Sequence, residues 1–95
     1  MDYATQPAPR PRATLRIHRR RLGAGQGAEL SFVAIGKSGR DRWALPGARI
    51  KVAGRKITTN ARGRASLQLR TVGRGLVRAR LVAPGLAPVT AGVTL

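Results

Sequence analysis

This chain is organised around two short runs, at positions 48–52 and 64–69, in which apolar residues alternate with cationic or polar ones. Ala48, Ile50 and Val52 are separated by single cations, and a second alternating run follows at positions 64–69. Side chains two residues apart on a β-strand point to the same face. The pattern therefore predicts short strands that turn an apolar face inward and a cationic face to solvent.

Turn signals separate these predicted strands. Residues 46–47 are Pro-Gly, a turn dipeptide, and Gly54 interrupts the first alternating run. Residues 57–59 are β-branched and favour extended chain. Residues 60–63, Asn-Ala-Arg-Gly, predict a four-residue hairpin loop, because Asn60 can bond to backbone two residues on and Gly63 tolerates positive φ.

These turn residues resemble a known pattern. The run Pro-Gly-Ala-x-Ile-x-Val-x-Gly at 46–54, followed by Thr-Asn-x-x-Gly-x-Ala at 59–65, is similar to that of bacterial immunoglobulin-like and carboxypeptidase-regulatory-like domains. The resemblance spans about residues 28–95 and implies a β-sandwich appended to a secreted or surface protein. Asn60 stands where those domains usually carry an acid, which argues against a cation site in this loop.

The remaining sequence extends the same pattern. Further strands are predicted at residues 13–22, 29–35, 76–83 and 86–95, with a glycine-rich loop at 23–27, a polar loop at 36–44 and a turn at 72–75. About seven short strands predict an all-β, antiparallel, immunoglobulin-like sandwich over residues 13–95. Residues 1–12 have proline at positions 7, 9 and 11 and predict an extended tail. That tail could serve as a Pro-rich ligand or insert into a neighbouring subunit.

The alternation also predicts which side chains form the core. With three aromatic residues in 95, the core has to be mainly aliphatic. The predicted core residues are Leu15, Ile17, Leu30, Phe32, Ile50, Val52, Ile57, Leu67, Leu69, Val77, Leu81, Val89 and Val93.

The net charge is the strongest functional signal. Lys and Arg number 19 against three acids, which gives +16 at pH 7. One interpretation is a polyanionic partner, such as nucleic acid, anionic lipid, an acidic polymer or the acidic surface of an assembly. The other is a compositional bias toward arginine on outer faces that are simply solvated.

Two features are candidates for polyanion contact. The chain's one run of three cations is Arg19, Arg20 and Arg21, which would either contact phosphates or form a charged edge that blocks strand-to-strand aggregation. Trp43, predicted to lie in a loop, would either stack on a base or sugar or cap one end of the core. For both features we favour the second, structural interpretation.

Nothing in the sequence indicates catalysis. There is no cysteine, the acids number three, and the single histidine, His18, is predicted to face solvent. These residues form no nucleophile, acid–base or metal-ligand set, so we expect neither an enzyme nor a bound cofactor.

Two classes of function therefore remain. The first is a structural or interaction module: an immunoglobulin-like accessory domain of a surface or secreted protein, or a decoration or cement subunit of an assembly such as a phage capsid. The second is a basic protein that binds nucleic acid or another polyanion. The sequence contains no signal peptide and no apolar run long enough for a membrane span. It predicts an extracellular or cell-surface location for a fragment, or the virion or cytoplasm for an intact chain.

Overall fold

A computed structural model describes residues 10–21, 27–69 and 75–94, and all regular structure in these ranges is β. The all-β class predicted from the sequence is confirmed. The strands are β1 (Arg12–Arg21), β2 (Ala28–Ser38), β3 (Asp41–Ala44), β4 (Arg49–Val52), β5 (Arg55–Thr58), β6 (Arg64–Leu69), β7 (Leu76–Val82) and β8 (Val89–Thr94).

The strands form two antiparallel sheets of four. In sheet A the long strand β2 pairs with β1 along one edge, and with β3 and β6 one after the other along its other edge. In sheet B the order is β5-β4-β7-β8. Each sheet thus has one face available for a core and one for solvent.

The inner faces of the two sheets share one hydrophobic core. Its largest fully buried side chains are Leu30 and Phe32 from sheet A and Ile50, Val52 and Leu81 from sheet B. Every residue of the predicted core belongs to this cluster or packs against it. Period-two alternation predicts burial well here because each strand has only one face against the core.

The segment at 36–44 is not a loop, and that prediction is wrong. Strand β2 continues to Ser38, a two-residue turn follows with Gly39 at φ 59°, and β3 returns along β2. All four residues of β3 are exposed, so the segment lacks the alternation that marks a strand in sequence. The molecule accordingly has eight described strands, where the sequence predicts about seven.

The turn at 60–63 has the predicted chemistry but joins different strands. Asn60 Oδ1 accepts hydrogen bonds from the amides of Arg62 and Arg64, at 2.9 and 3.0 Å. Gly63 has the expected positive φ of 73°. However, β5 pairs with β4 whereas β6 pairs with β2, so the predicted hairpin is wrong. The turn instead carries the chain from sheet B to sheet A.

The hairpin in this region lies one turn earlier, between β4 and β5. Its two-residue loop is Ala53-Gly54, with φ of 50° and 73°. Two positive φ values in a two-residue loop are typical of the type I′ turn, whose twist matches that of the flanking strands. The loop fixes the register Val52 opposite Arg55 and therefore Lys51 opposite Lys56.

Thr59 is the only polar side chain that is buried among the described residues, at 5% exposure. Its hydroxyl donates to the carbonyl of Leu45 at 2.5 Å and accepts from the amide of Ala48 at 2.9 Å. The backbone amide of Thr59 also donates to the Ala48 carbonyl. The Pro46-Gly47 turn is thereby fastened to the end of β5.

The remaining boundaries differ little from prediction. Strand β1 begins at Arg12, one residue early, and β8 begins at Val89 instead of 86, directly after Pro88, which cannot donate to a ladder. Residues 1–9 of the predicted tail, residues 23–26 of the glycine-rich loop and residues 72–74 of the predicted turn lie outside the described residues. The same holds for residues 22 and 95, the predicted ends of two strands.

Candidate polyanion-binding faces

The run of three arginines is divided between the two faces of β1. Arg19 pairs with Leu30 on the inner side, and its Nη1 donates to the carbonyl of Thr94 on β8. Arg20 lies on the outer face, opposite Glu29. The side chain of Arg21 lies outside the described part of the chain. Strand alternation therefore prevents the run from acting as one patch, and Arg19 links sheet A to sheet B.

Trp43 lies on β3 and not in a loop, which corrects the predicted location. It is paired with Gly36 of β2, and a Cβ on that glycine would lie 2.3 Å from the indole Cε2. The indole therefore occupies the space above the Gly36 backbone, while 39% of the residue stays exposed. Contact between this exposed part and a base or sugar stays a prediction.

A row of three cations crosses the outer face of sheet B. Lys51 on β4 is directly opposite Lys56 on β5 and Arg80 on β7, and all three side chains are exposed. Directly opposed side chains have Cβ atoms about 4.5–5.5 Å apart. The three charges therefore stand side by side across three neighbouring strands, although Arg80 is far from the lysines in sequence.

More cations extend this row along the same face. Arg49 and Arg78 lie two residues before Lys51 and Arg80 on their strands, and both are exposed. An open depression of about 340 Å³ on this face has no polar side chain in its lining except cations. Face B is defined here by Arg49, Lys51, Lys56, Arg78 and Arg80.

No acid among the described residues balances face B. The two described acids are Glu29 on β2 and Asp41 on β3, and both strands belong to sheet A. Glu29 points outward there, between Arg20 and Gln68. The positive potential on face B is therefore not offset by any described carboxylate of its own sheet.

A second row of three cations crosses the outer face of sheet A. Lys37 on β2 is directly opposite Arg12 on β1 and Arg42 on β3. Arg10, Arg12 and Lys37 line an open depression of about 300 Å³ beside this row.

Two more cations lie further along the same face. Arg16 and Arg64 flank the half-buried Val33. Long arginine stems can cover apolar surface while their charged ends stay in water, which accounts for the partial burial of this outward residue. Face A is defined here by Arg12, Arg16, Lys37, Arg42 and Arg64.

Both rows are unfavourable for the isolated protein. Like charges directly opposite each other on neighbouring strands destabilise a sheet by up to about 1 kcal/mol per pair. An anion placed over the row would offset this repulsion, because each of the three side chains carries a positive charge and hydrogen-bond donors. Phosphate oxygens suit such a row, because ammonium and guanidinium groups form charge-assisted hydrogen bonds with them.

Neither row was predicted from the sequence, because a row is a product of register. The pairing of Lys51 with Lys56 could have been predicted from the sequence. If residues 53–54 are recognised as a two-residue hairpin turn, they place Lys51 opposite Lys56. Arg80 had no such signal, since its position depends on the pairing of β4 with β7. The row on face A depends on β3, which the sequence did not reveal.

The described residues contain no group of three potential metal ligands. They also include no helix with the length and apolar character needed to cross a bilayer.

Comparison with protein-family models, with curated proteins and with solved structures finds no match to this chain. The resemblance to immunoglobulin-like and carboxypeptidase-regulatory-like domains accordingly stays a prediction, and function has to be argued from the two faces.

Proposed function

We propose that this protein is a non-enzymatic binding module whose partner is a polyanion, with the phosphodiester backbone of nucleic acid as the favoured partner. The observation that carries the proposal is the row Lys51, Lys56 and Arg80 on face B, where three cations are directly opposed without a described acid on their sheet. Repulsion among these three cations destabilises the free protein, and a chain of phosphates bound over them would offset that repulsion.

The expected mode of binding is contact with the backbone without base readout. The residues that define both faces are lysines and arginines on sheet surfaces, and contacts to phosphates carry no direct sequence information. Binding should be driven by release of counterions. If the five cations of face B each neutralise one phosphate of B-DNA, log K should fall with log salt at a slope of about −4 to −5.

The test measures binding of a fluorescent duplex by anisotropy over a range of salt concentrations. In the test variant, Lys51, Lys56 and Arg80 are all replaced by Gln. In the control, Arg40, Arg55 and Arg62 are replaced by Gln; these exposed residues lie outside both faces. Both variants lower the net charge from +16 by three, to +13. We expect the row variant to lose more affinity and to have a shallower salt slope than the control.

Equal losses in the two variants would mean that affinity follows net charge, and the row would have no special role. Duplex binding that is independent of salt, or no binding at low salt, would overturn the proposal.

A protein partner is the second candidate, as expected for an accessory domain or for a decoration subunit of an assembly. It is favoured by Leu76 and Val82, which are 57% and 43% exposed at the two ends of β7 on the outer side of sheet B. Arginine beside exposed apolar side chains is common at protein interfaces. A complex that survives high salt and is lost on Leu76→Ser with Val82→Ser would favour this role.

A further inference from the structure

We propose that one molecule holds two nucleic-acid segments at once, one on each outer face, and so bridges them. This inference rests on the proposed function and adds to it the number of bound segments and their arrangement. Faces A and B are the solvent sides of two sheets whose inner sides share one core. They therefore point in opposite directions.

The two faces share a row of cations, although sheet A also carries Glu29 on its outer side. Each has one row of three directly opposed cations, and each row has a lysine on its central strand, Lys37 on face A and Lys51 on face B. These two and Lys56 are the three lysines of the whole sequence. A compact ammonium group with arginine or lysine on either side suits the same kind of ligand, a run of phosphates, on both faces.

A single duplex cannot occupy both faces. Packed sheets lie about 10 Å apart, whereas double-stranded DNA has a persistence length of about 50 nm. A straight duplex on one face therefore leaves the other face free. A duplex bound on face B does not contact the cations of face A, so these remain available to the phosphates of a second duplex.

The test is a two-duplex capture experiment. One short duplex is fixed to beads, protein is added at moderate salt, and a second, fluorescent duplex is then offered. We expect the wild-type protein to retain the second duplex on the beads, and omission of the protein to abolish this signal.

Two single-face variants make the test specific. One carries Lys51→Gln, Lys56→Gln and Arg80→Gln, and the other carries Arg12→Gln, Lys37→Gln and Arg42→Gln. We expect each to remain bound to the fixed duplex through its intact face and to lose capture of the second duplex to the level without protein. The Arg40→Gln, Arg55→Gln, Arg62→Gln control, which has the same net charge, should still capture it.

The outcomes separate this inference from the proposed function. Wild-type protein that binds the fixed duplex but never captures a second one overturns bridging and leaves binding intact. Capture by both single-face variants also overturns it, because bridging would then come from self-association of the protein. Failure of the wild-type protein to bind the first duplex refutes the proposed function itself.

Discussion

At the scale of single residues, side chains with local hydrogen bonds hold the turns of this fold in place. Asn60 and Thr59 each use one side-chain oxygen to bind two backbone groups. Asn60 does this in an exposed turn, where water can replace a lost bond. Thr59 does it in the buried region behind the Pro46-Gly47 turn, where nothing else reaches the same two groups among the described contacts.

Replacing Thr59 with Val should lower the free energy of unfolding by about 1–3 kcal/mol, because the buried Ala48 amide and Leu45 carbonyl lose their partner. Thr59→Ser keeps the hydroxyl and should recover most of the loss. Chemical denaturation of the three proteins measures the difference. Thr58→Val, at the exposed neighbouring position, is the control and should have little effect. If Thr59→Val and Thr58→Val were equally stable, the hydroxyl of Thr59 would have no structural role.

At the scale of elements, the crossing from sheet B to sheet A depends on how closely the turn at 60–63 approaches β2. The carbonyl of Gly63 accepts from the amide of Ala34 at 2.8 Å, and the carbonyl of Ala34 accepts from Leu45. The turn, β2 and the segment after β3 are thus bonded directly to one another. No side chain fits between them at this point.

Gly63→Ala should therefore cost more stability than Gly54→Ala. Both glycines have φ of 73°, where an L-residue costs about 1–2 kcal/mol. A Cβ at Gly54 meets nothing within 4 Å, whereas one at Gly63 would lie 2.5 Å from the Ala34 carbonyl oxygen. Because the backbone cost is the same in both variants, the difference between their melting temperatures measures the steric contribution. Equal melting temperatures would show that the turn can move away from β2 without loss.

At the scale of the whole molecule, the fold is a neutral core between two cationic faces. Its net charge of +16 opposes compaction, and the repulsion is strongest where cations are directly opposed. Salt should therefore stabilise the free protein and weaken its complex with a polyanion. Both effects arise because salt screens the charges of the two faces.

Lys51→Gln should raise the free energy of unfolding at low salt by about 0.5–1 kcal/mol, because it removes repulsion with both Lys56 and Arg80. The gain should shrink as salt is added and screening lengths fall below the spacing of the charges. Denaturation at low and high salt measures this. Arg62→Gln, in the turn at 60–63, is the control and should gain less. An equal gain in both would indicate that total charge, and not the row, sets the effect.

Interactions between close neighbours along the chain account for the features that were predicted correctly. The alternation at 48–52 and 64–69 defined strands and their inward sides, and residues 46–47 and 60–63 defined turns, because φ preferences and face periodicity act over a few residues. Pairing between distant strands is a property of the tertiary fold, and it accounts for the rest. It turned the predicted loop into β3, sent the turn at 60–63 between sheets, and placed Arg80 beside Lys51. Strand register depends on residues far apart in sequence, so no local sequence pattern predicts the register.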